Sequence, residues 1–259
     1  MRVLALHSDL IVFTSDFWQT SCTAVRAGDE GFLIDSPVFP SELEAMPGVL
    51  EQAGFPVSGL LTTHADWDHL LGRFAFPGAS LGSGETTARR LAKESGAAQR
   101  ELREFDEQNY VAGRGPLPLG GIQPMPVPGR LSLGPEELEL HPADGHTRDG
   151  TAYAMPWLGV LVCGDYLSPV EIPWISDGGS LDAYLATLER LRGLVQELET
   201  AIPGHGSPLA RDEALRVLEE DVVYLSSLRT DGLDAQLPAG RRTGAQKRIH
   251  EENVERAFR

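Results

Sequence analysis

Cysteine and lysine are scarce in this chain of 259 residues, and a long apolar run is missing. Two cysteines, Cys22 and Cys163, cannot build a disulfide framework, which argues against a small secreted scaffold held by cross-links. Lys93 and Lys247 are the only lysines, so arginine supplies nearly all of the 22 basic residues. The most apolar stretch, Tyr153 to Gly164, contains Pro156 and falls far short of the ~20 residues that span a bilayer. At the N-terminus, MRVLALHSDLIVF is interrupted by His7, Ser8 and Asp9 before a signal-peptide core can form. These absences predict a cytoplasmic protein with no membrane partner, and they count against a secreted antibiotic-degrading enzyme. Gly-x-Ser-x-Gly is absent as well. Cys163 sits in an apolar strand run, where a thiol is expected to be inert.

What is present describes an ordinary folded protein. Hydrophobic residues make up 41% and charged residues 23%, which excludes disorder. The length suits one large domain or two small ones, with a core that needs no covalent staple. The net charge of -16 sets most of the surface against a nucleic-acid partner. The balance reverses after residue 228. The expected organisation is one domain over 1–228 and a basic helical extension, 229–259, packed on it.

Strands are predicted at Val3–Leu6 and Leu10–Thr14, then a hairpin of Cys22–Arg26 and Gly31–Ile34 with Asp29 at its turn and Asp35 closing it. A helix follows, capped by Ser41 with Glu44 three residues on, and Pro47 inside it predicts a kink or a short first turn. Val57–Thr63 reads as a buried strand running into His64. Glu85–Glu94 and Ala97–Phe105 read as helices. Residues 108–129 are rich in glycine and proline and are expected to be irregular, a lid or substrate loop rather than a passive connection. Strands return at Leu131–Leu133, Leu138–His141, Thr151–Trp157 and Gly159–Cys163. A helix at Leu181–Leu198, a short strand ending at Ile202, and helices at Pro208–Leu228 and Thr243–Phe258 complete the chain. The same succession of strands and helices occurs in each half. It predicts an α/β fold, a four-layer αββα sandwich.

The chemistry concentrates in His64-Ala65-Asp66-Trp67-Asp68-His69, directly after a predicted strand. Imidazole and carboxylate at this density suit zinc, iron or manganese. The competing structural reading is a helix N-terminus carrying two aspartates. Further candidates follow: His146 in ADGHTRDG, Asp165 in LVCGDYLS and His205 in AIPGHGSP, each at a predicted strand end beside glycine. His7, His141 and His250 lie outside such turns and read as structural.

This pattern resembles the metallo-β-lactamase superfamily from about Cys22 to Pro208, with an HxDxDH variant of that family's HxHxDH motif. The resemblance implies the αββα fold and two divalent metal ions. One ion would be held by His64, Asp66 and His146, and the other by Asp68, His69 and His205. Asp165 would bridge them, and Asp68 and Asp165 would be the catalytic carboxylates. Asp35 would support the site without being a ligand. Zinc is the first expectation. Asp66, standing where the family has histidine, adds negative charge and admits manganese or iron.

Two such metals would share a water, lower its pKa and present a bridging hydroxide to an electrophile. The expected activity is metal-dependent hydrolysis of a small ester-like substrate: a lactone, thioester or ester. An iron-dependent redox protein is the alternative raised by Asp66, although no flavodoxin-like region follows His205 in this sequence. A phosphodiesterase is disfavoured by the acidity. Trp67, Tyr110, Tyr166 and the stretch Ser168–Trp174 are candidate pocket residues, with Glu171 either a proton donor or a surface ion-pair partner. The segment around His250 either caps the site or pairs with a second copy in a homodimer, and the sequence leaves both open.

Overall fold

The computed structural model describes residues 1–257. Phe258 and Arg259, the end of the expected C-terminal helix and basic extension, lie outside the described residues. The strands fall into two mixed sheets of seven and six strands. By the density of its contacts the chain divides into two compact units, Met1–Leu140 and His141 onward.

The first unit opens with an antiparallel meander of β1 (Arg2–His7), β2 (Leu10–Thr14), β3 (Ser21–Ala27) and β4 (Glu30–Asp35). Parallel strands β5 (Gly59–Thr62), β6 (Ser80–Gly84) and β7 (Ile122–Met125) extend it in the order β1 to β7. Parallel neighbours need crossovers. These are supplied by α1 (Pro40–Gln52), by α2 (Gly72–Ala75), and by α3 (Glu85–Lys93) with α4 (Ala97–Gln108). The apolar faces of sheet and helices meet in a core that includes Phe13, Leu33, Met46, Leu50, Leu70 and Leu102. β8 (Gly129–Leu133) and β9 (Glu136–Pro142) form an antiparallel hairpin.

The second unit carries β10 (Thr151–Met155), β11 (Val160–Val162), β12 (Thr200–Ile202) and β13 (Leu209–Ala210), in the order β13-β12-β11-β10. The β11–β12 pair is parallel, and α5 (Leu181–Glu197) crosses between its strands. Ser180 starts that helix, its hydroxyl accepting the Ala183 N–H. α6 (Arg211–Asp231) and α7 (Gly244–Ala257) follow. Tyr184, Leu188, Leu191, Leu218, Tyr224 and Leu225 belong to a separate core. Among the described residues, no helix is long and apolar enough to cross a membrane.

Several local expectations change. α1 starts one residue before Ser41, at Pro40, and its cap is Phe39. Glu42, rather than Glu44, folds back to accept the Phe39 N–H at 3.0 Å. Proline at the first helical position costs no hydrogen bond, which is why the start shifts to it. The helix continues through Pro47. Segment 108–129 is not irregular throughout: Ile122–Met125 pairs with β6 and Gly129 opens β8. Its remainder is tied down. The Arg114 side chain, 3% exposed, pairs with Asp106 at 3.1 Å and donates to the Val38 carbonyl at 2.9 Å. Arg73 donates to the carbonyls of Pro118 and Gly120. The expected helix at Pro208 begins only at Arg211, because Leu209–Ala210 first pairs with β12.

Candidate metal centre

In the first unit the parallel strands deliver their chemistry at their carboxyl ends, where crossover loops leave the sheet. Asp35 is the last residue of β4, in a left-handed conformation at φ 63°. That strained backbone turns its carboxylate toward the segment after β5. There Oδ1 accepts the Thr63 N–H at 2.8 Å and Oδ2 accepts the Thr63 hydroxyl at 2.9 Å. Oδ2 also lies 3.0 Å from Nδ1 of His69. Thr62 donates its hydroxyl to the His64 carbonyl, and Ser36 donates to the Asp68 carbonyl while accepting the Leu71 N–H. Trp67–His69 is one 3-10 turn. The turn is therefore set from both sides. His64, Asp68 and His69 are buried, and the His64 and His69 rings lie 4.2 Å apart, centroid to centroid.

Nε2 of His64 faces Oδ2 of Asp66 at 3.6 Å, and Nε2 of His69 faces Oδ2 of Asp68 at 3.6 Å. In the second unit, Nε2 of His146 and of His205 face the same oxygen, Oδ2 of Asp165, at 3.3 and 3.4 Å. Loops place these three: His146 lies between β9 and β10, Asp165 follows β11, and His205 follows β12. Gly204 makes the last approach feasible. A Cβ there would stand 2.2 Å from Oδ1 of Asp165 and 3.0 Å from the Gly164 backbone.

The ring tautomers follow from the other nitrogens. Nδ1 of His146 lies 2.7 Å from the Trp174 carbonyl oxygen, which only accepts, so Nδ1 carries the proton. Nδ1 of His69 faces the Asp35 carboxylate, another acceptor. The Thr63 hydroxyl spends its proton on Asp35, so at 3.0 Å it accepts from Nδ1 of His64. In all three rings the Nε2 lone pair then points at a carboxylate oxygen. Two acceptors face to face repel unless a cation lies between them. Two donors about 2.1 Å from one zinc ion at the tetrahedral angle stand about 3.4 Å apart, the spacing found here. The donor set fits a divalent metal, and the Trp174 carbonyl behind His146 and the Asp35 carboxylate behind His69 are the support that metal-ligating histidines commonly have.

All seven expected ligand positions offer a metal-binding atom. Within the first unit His64, Asp66, Asp68 and His69 come together, and within the second His146, Asp165 and His205 do. Other expectations are corrected. Tyr166 does not line a mouth. It is 2% exposed, its hydroxyl accepts the His146 N–H at 3.0 Å and donates to the Asp144 carbonyl at 2.9 Å, and burial pushes its pKa up. Trp67 is buried and stacks on Phe105, with ring centroids 4.6 Å apart, and near Trp18 at 5.9 Å. Tyr110 is 93% exposed. The expectation for the cysteines holds instead: Cys22 and Cys163 are buried and in no disulfide, and burial raises both thiols.

Three contributors had no sequence signal. Arg90 of α3 meets Asp66 at 2.9 Å, across 24 residues of chain. The Trp174 carbonyl is a backbone group that any residue could supply. Ser168 donates to the His205 carbonyl at 2.8 Å from an unremarkable SPV sequence.

The class of protein is now defined: an α/β sandwich with histidine and aspartate at the carboxyl ends of its strands, in groups that could hold a metal ion. The chain belongs to the metallo-β-lactamase superfamily, whose family model matches residues 15–205. Solved structures share the fold at low identity. A metallo-β-lactamase family protein of Thermus thermophilus is 21% identical, with a TM-score of 0.70 over 97% of this chain and 94% of that one. A metallo-β-lactamase from Pontibacter korlensis is 17% identical, with a TM-score of 0.61 over 84% of this chain and 98% of that one. The inverting sec-alkylsulfatase Pisa1 from a Pseudomonas species is 13% identical, with a TM-score of 0.73 over 99% of this chain. This chain spans 49% of that one.

Proposed function

We propose that the protein is a metal-dependent hydrolase of a small ester-like substrate: a lactone, thioester or ester. His64, Asp66 and His146 would hold one divalent ion, Asp68, His69 and His205 the other, and Asp165 would bridge the two. Zinc is the favoured metal, with manganese or iron admitted by Asp66. The observation that carries the reading is the tautomer of His146. With Nδ1 donating to the Trp174 carbonyl, Nε2 presents its lone pair to Oδ2 of Asp165 at 3.3 Å. Membership of a superfamily of metal-binding hydrolases supports assigning all the ligands to one centre.

When bound, the metal pair would acidify a water and polarise the scissile carbonyl. The chain's residues do the rest. Asp68, buried at 6% exposure, would take the proton of the attacking water on a carboxylate oxygen. Asp165 would keep His146 and His205 at a fixed separation by facing both rings. Asp35 and Thr63 hold the His64 and His69 rings so that neither reorients during turnover.

The test is metal analysis of protein purified without added metal, followed by assays on lactone, thioester, carboxylic ester, alkyl sulfate and phosphodiester substrates. Turnover of one of the first three by the zinc or manganese form, without oxygen, is the expected result. Oxygen-dependent activity confined to the iron form would replace this reading with the redox one. Activity on the phosphodiester alone, or on the alkyl sulfate alone, would reassign the substrate class.

A further inference from the structure

The segment Ser168–Ser176 is irregular, with Pro169 and Pro173 denying it a strand's ladder. Buried backbone groups must still find partners. They find them in side chains from the C-terminal region. Arg241, 2% exposed, donates to the Ser168 carbonyl at 3.1 Å and the Glu171 carbonyl at 2.9 Å. Gln246 accepts the Ile172 N–H at 2.7 Å. Asn253, fully buried, accepts the Ile175 N–H at 2.8 Å and donates to the Pro173 carbonyl at 2.6 Å. Arg256 donates to the Ile175 carbonyl, and Glu252 accepts the Trp174 indole N–H at 2.9 Å.

The same segment touches two of the ligands assigned above. The Trp174 carbonyl accepts from Nδ1 of His146, and the Ser176 N–H donates to the His146 carbonyl at 2.8 Å. Ser168 binds the His205 carbonyl. We propose that α7 and Arg241 form a positioning element for the metal centre. They hold Ser168–Ser176 in the one conformation that fixes the tautomer of His146 and the placement of His205. Asn253, Gln246 and Arg241 are its positioning residues.

Other occupations of this region are already filled. His250 faces inward, with Nδ1 3.0 Å from the Tyr224 hydroxyl and Nε2 3.1 Å from the Leu233 carbonyl. It neither reaches toward the ligands nor offers a surface to a second copy. α7 docks Ile249, Val254 and Ala257 in the apolar core of this unit. Its polar side chains do something that docking does not require: they are spent on the backbone of a segment that carries ligand contacts.

The inference rests on the metal reading, and the experiment separates the two. Cobalt(II) affinity, read from the ligand-field absorption of the bound ion, and apoprotein melting temperature are measured for wild type, Asn253→Ala, Asn253→Asp and Leu50→Ala. Leu50 is a buried α1 residue of the first core and serves as a destabilised control. Asn253→Ala should weaken cobalt binding by about 10- to 100-fold, as loss of outer support does at metal sites, and change the absorption envelope. Asn253→Asp keeps the acceptor for Ile175 and should recover part of the affinity. Leu50→Ala should melt lower yet bind cobalt as wild type does. If Asn253→Ala binds cobalt with wild-type affinity and spectrum, or no more weakly than Leu50→Ala, the positioning role is overturned while the metal reading stands. A wild-type chain that takes up no cobalt overturns both.

Discussion

Arg90 and Asp66 form an ion pair at 2.9 Å, through the Asp66 oxygen that does not face His64. The family's second-histidine position is thus an aspartate with one oxygen turned to the ligand set and the other neutralised by a guanidinium. Both side chains are about 15% exposed, so the pair is little screened. The arginine orients the carboxylate, and it would offset the charge that Asp66 adds as an anionic ligand.

Removing that guanidinium should therefore disturb the metal site through Asp66 alone. Arg90→Ala is expected to weaken zinc binding by roughly tenfold, in line with a lost charged hydrogen bond of about 1.5 kcal/mol. In an Asp66→His background the same substitution should have little effect, and Asp66→His by itself should raise zinc occupancy. Calorimetric zinc titration of the four proteins in this cycle gives the coupling. Equal losses in both backgrounds would detach Arg90 from Asp66.

Asp165 is opposed by two imidazoles and approached by a glycine. Asp165→Ala should lose metal and activity with the far-ultraviolet circular dichroism unchanged, since the sheet does not depend on one carboxylate. Gly204→Ala should produce a similar metal deficit without replacing any ligand, because the added methyl would stand 2.2 Å from Oδ1 of Asp165 and push the carboxylate aside. The nearby Gly164 backbone cannot yield cheaply, so a stability loss of roughly 1–3 kcal/mol by urea denaturation is expected as well. Full metal content in either variant would refute the arrangement.

Segment 108–129 makes a different prediction from the one its composition suggests. Arg114 is buried against Asp106, so Arg114→Ala leaves a desolvated carboxylate. The cost should be about 3 kcal/mol. Urea midpoints will show a large shift if the segment is a core tie. A changed KM at unchanged stability would restore the lid.

Burial raises the Asp221 carboxyl to about 7, against the pull of Arg241 at 2.6 Å. A folded-state pKa above the unfolded one means that the native protein holds the proton more tightly. Stability from this group is present below about pH 4 and is lost as pH rises through 7. The wild type should accordingly lose more stability between pH 5 and pH 8 than Asp221→Asn does. Identical pH slopes would mean that Arg241 keeps Asp221 ionised throughout.

Much of the candidate site was legible because histidine and aspartate able to bind a metal stand out at strand ends by type and spacing. His64 to His69, His146, Asp165 and His205 stand at turns after apolar runs, and the recurring succession of strands and helices points to the αββα class. Side-chain chemistry and periodicity are local properties, so a linear reading captures them. The cap of α1 was misplaced because Ser41 is a good cap by type, whereas the choice of Phe39 follows from Pro40 and from Glu42 reaching back. In 108–129 the strand at Ile122–Met125 and the ties of the rest were not legible, because the pairing strand β6 and the anchors Asp106, Val38 and the Arg73 guanidinium lie outside the segment. Tyr166 looked like a pocket residue and is a buried prop beneath His146. The sequence by itself determined which groups could bind a metal. Only the tertiary structure decided which nitrogen of each ring carries the proton, because that depends on acceptors such as the Trp174 carbonyl and the Asp35 carboxylate. Folding brings those acceptors against the rings from 28 and 34 residues away.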